Sequence, residues 1–343
     1  HSEALSKDIL AQGELLSTKL FSLLLHEKAV AHVLLPALEF MSIDADDEPK
    51  IDLIKAKLNI HLSGEKDHSL FITQGFICRN AKGEVDNLKR GGSDYSASLI
   101  AAAINASVCE IWTDINGMHN NDPRIVSQTV PVQQLSFDEA AELAYFGAKI
   151  LHPASIWPAQ QYNIPVRLLS TLEPSEAGTL ITRYAAASGP KAVAAKDGIT
   201  AIRIRSSRML LAYGFLRKVF EVFEKYRTSI DMVTTSEVAV SVTIDNDLSL
   251  EQIKSELETF ATVEVDAGQA IVSIVGEEIA TDANTLSLVF ESIKSVPVRM
   301  VSYGGSAHNI SLLVAAENKN TVLKQLNLGV FGLGAEIKIN TVK

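Results

Sequence analysis

A cluster of glycine and polar residues lies where a helix is predicted to begin, in the stretch LKRGGSDYSASLIAAAI. Arg90 precedes Gly91 and Gly92, and Ser93 and Asp94 follow them. Glycines that lead into a helix expose backbone N–H groups at the positive end of the helix dipole, and arginine binds carboxylates and phosphates through a planar set of donors. This pattern predicts an anion site, although an ordinary turn capped by Ser93 or Asp94 explains the same residues.

Further residues that could bind a phosphorylated ligand follow a predicted strand. Thr113, Asp114 and Arg124 lie in WTDINGMHNNDPR, where the apolar stretch SVCEIWTDI ends. Ligands of open α/β sheets bind outside the carboxyl ends of the strands. Lys149, in FGAKILHP, could neutralise phosphate charge or remain solvated, and Glu14, in QGELLS, could bind an amine or cap its own turn.

The elements that must position these residues alternate between strands and helices. A helix of small residues is predicted over 93–105, and a second helix over 136–154, where Ser136 and Glu139 have the spacing of a capping box. The short apolar stretches are predicted to be buried strands, at 69–77, 107–115 and 164–170. This order predicts an α/β domain.

The composition shifts to alanine, glycine, serine and lysine around 183–197, which indicates a domain boundary. We assign residues 1–185 to the first domain. The pattern that follows is βαββαβ, the ferredoxin-like order, and similar segments recur about 70 residues later. The two copies are assigned to 191–267 and 268–343, and strand 191–196 is a candidate to pair with the second copy.

Composition argues against several classes of protein. The net charge of −10 argues against a general nucleic-acid binder. No apolar run is long enough for a membrane-spanning helix, and no signal-peptide pattern is present. The two cysteines, Cys78 and Cys109, lack the spacing of metal ligands, which favours buried thiols in a reducing, cytoplasmic compartment and no metal site.

Five motifs together resemble those of the aspartate kinases, and the duplicated module resembles the paired ACT domains of that family. The motifs are GELLST, ITQGFI, RGGSDYSA, WTDINGMHNNDPR and FGAKILHPA. The resemblance implies an amino acid kinase domain of the carbamate kinase-like type, incomplete at its N-terminus, followed by two ferredoxin-like ACT modules. The segment FLRKVFEVFEKYRTSIDMVTTSEVAVSVTID is most similar to the monofunctional lysine-sensitive type.

The resemblance implies phosphoryl transfer from ATP, as its Mg²⁺ complex, to the side-chain carboxylate of L-aspartate. The product, 4-phospho-L-aspartate, leads to lysine, threonine and methionine. By resemblance, Glu14 binds the amino group of aspartate, Arg90 binds its α-carboxylate and Phe76 contacts the substrate through its backbone. The residues implied at the reacting centre are Arg90, Gly91, Gly92, Ser93 and Asp94. Those implied around the nucleotide are Thr113, Asp114, His119, Arg124 and Lys149.

The sequence departs from the family pattern in its N-terminal part. The Lys-Phe-Gly-Gly-Thr-Ser stretch of the family, whose lysine holds the transferring phosphate, has no counterpart. Loss of such a group costs orders of magnitude in rate, so this chain alone is expected to be inactive or nearly so. His119 stands where lysine-sensitive relatives usually have tyrosine, and Lys89 stands where a glycine is usual, which leaves nucleotide affinity open.

The ACT pair implies an amino acid effector, L-lysine, that inhibits by feedback. A free amino acid needs acceptors for its ammonium group and donors for its carboxylate. The resemblance assigns this site to Met209, Phe215, Leu216, Ser229, Ile230, Asp231, Ser236, Glu237 and Val238. Ala212 replaces a serine usual in the lysine-sensitive type, which keeps threonine open as effector. ACT modules of the family pair across subunits, so a homodimer or larger homo-oligomer is expected.

Two alternative functions explain parts of the sequence. A non-catalytic, amino-acid-sensing regulatory subunit would need the ACT pair alone, yet the chain retains Glu14, Arg90, Asp94 and Lys149 in their motifs. Another amino acid kinase, acting on glutamate or a nucleotide, is disfavoured by the duplicated module and by FGAKILHP. A KFGG-type segment upstream in the parent protein would favour the kinase over the regulatory subunit.

Overall fold

The structure of the protein is a computed structural model that describes residues 3–64, 69–89, 91–147, 151–184, 187–206 and 213–334. Three residues of the predicted sites, Arg90, Lys149 and Met209, lie outside the described residues, as does Ala212. The chain divides into two compact units. The first comprises residues 1–118, 133–144 and 149–186, and the second comprises residues 119–132, 145–148 and 187–343.

The first unit alternates helices with short strands, as its patterning predicts. Its helices are α1 (Glu3–Glu27), α2 (Ala37–Phe40), α3 (Ile51–Gly64), α4 (Gly92–Ile104), α5 (Phe137–Tyr145, whose last residue groups with the second unit) and α6 (Pro153–Gln161). Its strands are β1 (Val33–Leu35), β2 (Phe71–Thr73), β3 (Ile77–Arg79), β4 (Val85–Asn87), β5 (Cys109–Thr113), β6 (Gln134–Ser136), β7 (Val166–Ser170) and β8 (Thr179–Thr182). The α/β class predicted from the sequence is confirmed.

The strands of the first unit pair mainly in parallel. β1 pairs with β2, and a four-stranded sheet has the order β5-β7-β8-β6, in which β7 and β8 are antiparallel. β3 and β4 form an antiparallel hairpin. Helix α4 packs against both α3 and α6, because its small side chains, among them Ser98 and Ala102, are buried and allow close approach. This packing fixes the N-terminus of α4, where the glycine motif lies.

Two of the predicted elements are divided in the structure. The stretch 69–77 does not form one strand, because β2 ends at Thr73 and a turn precedes β3. The stretch 136–154 does not form one helix, because α5 ends at Tyr145 and α6 begins at Pro153. Both predictions are wrong for one reason: apolar residues such as Phe76 and Phe146 continue the pattern beyond the ends of β2 and α5.

The second unit is built on one six-stranded sheet. Its strands are β9 (Gly189–Arg205), β10 (Val233–Thr235), β11 (Ala239–Ile244), β12 (Thr262–Glu277), β13 (Met300–Tyr303) and β14 (Asn309–Ala315), in the order β10-β11-β9-β12-β14-β13. Its helices are α7 (Phe215–Lys225), α8 (Leu250–Leu257), α9 (Ala283–Ser292) and α10 (Lys319–Gly329), the last preceded by a 3-10 turn (Ala316–Asn318). None of the described helices of the chain combines the length and apolar character of a membrane span.

The two long strands, β9 and β12, each run through both halves of this sheet. Residues 189–196 of β9 pair with residues 271–277 of β12, whereas residues 199–205 pair with β11 on one side and with the start of β12 on the other. Each half has its own apolar core, with α7 and α8 over one and α9 and α10 over the other. The helix and strand order is therefore repeated, and the second half takes one of its strands from the beginning of the unit.

Both cysteines are buried, as their lack of partners predicts. Burial raises the pKa of the Cys78 thiol to about 12 and that of the Cys109 thiol to about 11. A thiol that stays protonated at neutral pH is a poor nucleophile, so both behave as small apolar side chains.

Candidate active site and effector site

The described residues of the RGGSD motif lie at the N-terminus of α4. Gly91 directly precedes the helix with φ of 68°, in the left-handed region, and the helix begins at Gly92. Gly91 takes the N-cap position and no side chain caps the described start of this helix, so the alternative of a turn capped by Ser93 or Asp94 is not formed. Its first N–H groups are therefore not satisfied by a cap and point from the positive end of the helix dipole, which suits an anion.

The backbone at position 91 approaches α6 closely. A Cβ atom added to Gly91 would lie 2.8 Å from the Cβ atom of Ser155. Ser155 is buried, and its hydroxyl donates to the carbonyl of His152 at 2.6 Å. His152 in turn caps α6, because its Nδ1 accepts from the N–H of Ala154 at 3.1 Å. The residues HPA of the FGAKILHPA motif thus begin the helix that packs against the glycine motif.

The turn between β2 and β3 packs on the first turn of α4. Phe76 has φ of 66°, which is a strained conformation for a bulky residue. Its N–H donates to Oγ of Ser96 at 2.8 Å, and its carbonyl accepts from the N–H of Leu88 at 2.8 Å. A Cβ atom on Gly75 would lie 2.7 Å from Oγ of Ser93. Backbone strain that the surroundings enforce in this way is typical of ligand sites.

Glu14 lies half-buried in the middle of α1. One turn later, the hydroxyl of Thr18 donates to the carbonyl of Glu14 at 2.8 Å and accepts from Nε2 of Gln74 at 2.8 Å. Gln74 is buried, and its Oε1 accepts from the N–H of Ala37 at 2.8 Å. The helix that carries Glu14 is therefore tied to the residue next to Gly75, at the turn that holds Phe76.

Asp94 lies in the first turn of α4 and is partly buried. Burial raises the pKa of its carboxyl above the ordinary value. No described cation offsets this effect, and burial makes the ionised form costly, which is common for carboxylates at functional sites.

The residues predicted around the nucleotide are divided between the two units. Thr113 ends β5, and its carbonyl accepts hydrogen bonds from both the N–H and the hydroxyl of Thr171 at 2.8 Å, while Asp114 beside it is exposed. His119 and Arg124 lie in the segment 119–132, which groups with the second unit.

Arg124 already has an anionic partner. Its guanidinium forms a two-point contact with the carboxylate of Asp122, at 2.9 Å through Nε and 2.8 Å through Nη2. The side chain of Arg124 is 75% exposed, so this pair is easily exchanged for a ligand. Nδ1 of His119 lies 2.9 Å from the hydroxyl of Thr129, and burial lowers the pKa of His119.

The predicted effector residues form a partly exposed set in the first half of the second unit. Phe215 starts α7 and is buried, with its ring edge-on to Phe260 at 6.0 Å between centroids, whereas Leu216 beside it is exposed. Ile230 packs against the same core. Besides Leu216, the exposed members are Ser229 and the three residues of the β10–β11 turn, Ser236, Glu237 and Val238.

Asp231 is the buried charge of this set. Its side chain is 1% exposed, and Oδ1 accepts from the hydroxyl of Tyr145 and from Nζ of Lys196, each at 2.8 Å. Lys196 also pairs with Asp245 at 2.7 Å. Oδ2 of Asp231 has no hydrogen-bond partner among the described residues, so it remains available as an acceptor.

Comparison with known proteins identifies the family. Residues 2–170 match the amino acid kinase family, and residues 272–328 match an ACT domain. The chain is 35% identical to the lysine-sensitive aspartokinase 3 of Escherichia coli over 344 residues, which cover 96% of this chain and 76% of that protein. The chain belongs to the aspartokinase family.

Other members of the aspartokinase family are similar along most of the chain. The chain is 36% identical to the chloroplastic aspartokinase 3 of Arabidopsis thaliana over 95% of its own length, and it spans 62% of that protein. The match across the kinase region favours a kinase over a regulatory subunit, because the latter would need the ACT part alone.

Two crystal structures of E. coli aspartokinase III are similar to this family member over 96% of its chain and 76% of theirs. The structure in complex with aspartate and ADP, named the R-state, gives a TM-score of 0.82 at 35% identity. The structure in complex with lysine and aspartate, named the T-state, gives 0.80 at 36% identity. The fold predicted for the aspartokinase family is confirmed.

The sequence did not predict the residues that connect the parts of the candidate substrate site. These residues are Thr18, Gln74 and Ser96, whose side chains form hydrogen bonds within the candidate site. Each lies inside one of the quoted motifs, GELLST, ITQGFI and RGGSDYSA. A polar residue inside an apolar motif is the signal that could have found Gln74. The buried ion pair of Lys7 with Asp86 has no such signal, because its partners are far apart in the sequence.

Proposed function

We propose that the protein transfers the γ-phosphoryl group of ATP to the side-chain carboxylate of L-aspartate. The observation that carries the proposal is the uncapped start of α4, which Gly91 opens and on which the strained Phe76 turn packs. Oriented backbone N–H groups stabilise the spread negative charge of a transferring phosphoryl without reorganising. The aspartate and ADP of the related E. coli structure support the same pair of ligands here.

The proposed roles follow the chemistry of each side chain. Glu14 accepts from the ammonium group of aspartate, and the guanidinium of Arg90 pairs with its α-carboxylate. The backbone at Phe76 lies against the substrate, and Gly91, Gly92 and Ser93 leave room for the reacting groups. Burial raises the pKa of Asp94, so a cation on the phosphate side, either a lysine or Mg²⁺, would stabilise its ionised form.

ATP is proposed to bind as its Mg²⁺ complex. Thr113, Asp114, His119, Arg124 and Lys149 are the proposed nucleotide residues. For Arg124 this role requires an exchange of its Asp122 partner for a phosphate, which its exposure makes inexpensive. Mg²⁺ bound to ATP would neutralise phosphate charge as transfer proceeds.

The activity can be tested by trapping the acyl phosphate. Protein expressed from the complete open reading frame is incubated with ATP, Mg²⁺, hydroxylamine and either L-aspartate or L-glutamate. Hydroxylamine converts acyl phosphates to hydroxamates, so product is expected with aspartate and not with glutamate. Asp94→Asn, which keeps the shape of the side chain, is expected to fold and to lose most of the activity. Equal product with glutamate, or none with aspartate, would contradict the proposal.

L-Lysine is the proposed inhibitory effector. Its ammonium groups find acceptors in Asp231 and Glu237, and its carboxylate finds backbone donors near the start of α7, where Gly214 precedes the helix without a side-chain cap. The unpartnered Oδ2 of Asp231 supports this role, as does the lysine complex of the related E. coli enzyme. The remaining proposed contacts are Met209, Phe215, Leu216, Ser229, Ile230, Ser236 and Val238.

The protein is further proposed to act in the cytoplasm as a homodimer or larger homo-oligomer that pairs through its ACT modules. The strands β10 and β13 are the edges of the six-stranded sheet, and edge strands are common sites of pairing between chains. Light scattering at micromolar concentration is expected to give at least twice the monomer mass, and a monomer would contradict this proposal.

A further inference from the structure

Asp86 is a buried carboxylate that the proposed catalytic roles do not use. Its side chain, in β4, is 3% exposed. Oδ2 accepts from Nζ of Lys7, and Oδ1 accepts from Nζ of Lys89 and from the N–H of Asn87, each at 2.8 Å. Burial by itself would raise the pKa of Asp86, but the hydrogen bonds from the two lysines outweigh it and lower the pKa to about 2. Asp86 is therefore an anion at neutral pH, and its buried charge is stabilised by the two lysines.

One of these cations lies on the face of α1 that carries Glu14. Lys7, Ala11, Glu14 and Thr18 are three and four residues apart, so they share one side of the helix. Ala11 is 2% exposed, which places this side against the rest of the first unit. Lys7 contacts Asp86 before Glu14 in the helix, and Thr18 contacts Gln74 after it. Glu14 thus lies between two side-chain contacts, which connect α1 to the β3–β4 hairpin and to the turn that holds Phe76.

The other side of the ion pair belongs to the hairpin that fixes Phe76. Asp86 lies opposite Cys78 in the β3–β4 hairpin. Two residues after Asp86, the N–H of Leu88 donates to the carbonyl of Phe76 at 2.8 Å. A movement of β4 relative to α1 would therefore change the distance between Glu14 and the Phe76 backbone.

We infer that Asp86 is a positioning residue for the amino acid substrate, which keeps Glu14 and Phe76 at a fixed separation by pairing α1 with β4. The inference rests on the proposed function, in which Glu14 binds the ammonium group of aspartate. A misplacement of about 1 Å at a substrate contact is sufficient to cost about 100-fold in rate. Lys89 completes the cluster from the loop after β4, and Glu3, which pairs with Lys7 at 3.0 Å, offsets the charge of the second lysine.

The test compares three variants of the protein expressed from its complete open reading frame. Asp86→Asn and Lys7→Met each break the ion pair, and Lys19→Met removes an exposed lysine of the same helix as the matched control. Both ion-pair variants are expected to raise KM for aspartate about tenfold and to leave KM for ATP within about twofold. The double variant is expected to be no worse than Asp86→Asn, because Asp86→Asn alone already breaks the pair between Lys7 and Asp86. Lys19→Met is expected to match the wild type.

The split between the two KM values separates positioning from a general loss of structure. If Asp86 only stabilised the fold, its loss would lower the fraction of active protein and therefore kcat. It would not raise KM for aspartate selectively. An unchanged KM for aspartate in an active Lys7→Met protein, or fully additive effects in the double variant, would overturn this inference alone. Absence of aspartate-dependent product from the wild type would overturn the proposed function together with it. Lys7, at 19% side-chain exposure, is the milder site and carries the test if Asp86→Asn does not fold.

Discussion

At the level of single residues, the region proposed to bind the substrate contains three described backbone positions with positive φ, which are Phe76, Gly91 and Gly92. Gly91 has no side chain to strain and permits the contact with Ser155, whereas Phe76 retains its strain and is held by Ser96 and Leu88. Strain and close approach therefore occur together where the anion is proposed to bind, which is the pattern of a preorganised site.

The requirement for glycine at position 91 can be measured against a second glycine. Gly83→Ala, at φ of 80° with open space around it, is expected to cost about 1–2 kcal/mol of stability from left-handed strain alone. Gly91→Ala, at φ of 68°, is expected to cost about 1–3 kcal/mol more, because the new methyl group meets Ser155. Urea unfolding followed by the fluorescence of Trp112 and Trp157 reports on the first unit.

The same pair of variants separates stability from activity. Gly83→Ala is expected to retain hydroxamate formation, and Gly91→Ala is expected to lose most of it. Equal free energies of unfolding for the two variants would show that the contact with Ser155 is not restrictive.

At the level of elements, the helices begin by different means. α5 begins with a reciprocal cap, in which the N–H of Ser136 donates to Oε2 of Glu139 at 2.7 Å and the N–H of Glu139 donates to Oγ of Ser136 at 3.2 Å. This confirms the predicted capping box. α4 and α7 instead begin after left-handed glycines with no side-chain cap, at the two places where a ligand carboxylate or phosphate is proposed. The two helix starts for which a ligand is proposed thus lack a side-chain cap, as do the starts of α2, α8 and α10.

The capping box makes a prediction for stability. Ser136→Ala is expected to lower the free energy of unfolding by about 1 kcal/mol, because a buried helix start loses its acceptor. Ser249, which precedes α8 without a side-chain cap, is the matched control, and Ser249→Ala is expected to change stability by less than about 0.5 kcal/mol. Far-UV circular dichroism in urea measures both, and equal losses would contradict the role of the box.

At the level of the whole molecule, the proposed kinase and effector functions belong to two compact units. The segments 119–132 and 145–148 of the kinase region group with the second unit. In the first of these, the buried Asn120 and Asn121 both donate to Oδ1 of Asn327 in α10, at 3.0 and 3.4 Å. In the second, Tyr145 bonds Asp231. The chain therefore passes between the units more than once, which gives a covalent route for coupling.

Coupling between lysine and substrate must be reciprocal. Calorimetry is expected to show saturable binding of L-lysine and none of L-threonine. If lysine inhibits by favouring one conformation, then aspartate and a nucleotide that favour the other conformation lower the affinity for lysine. Lysine lowers the affinity for these substrates by the same factor. Equal lysine affinity with and without both substrates would contradict feedback through a shared equilibrium, and no binding of either amino acid would contradict the effector site itself.

The sequence by itself determined the features that depend on neighbours in the chain. It predicted the α/β alternation, the capping box of α5 and the duplicated helix and strand order, because periodicity and caps act within a few residues. The structure decided the start of α4, where Gly91 takes the N-cap position, and the turn at Phe76. It also paired Lys7 with Asp86 and joined both halves of the second unit through β9 and β12. These features depend on partners far apart in sequence, and hydrophobic pattern states which side is buried but not against what.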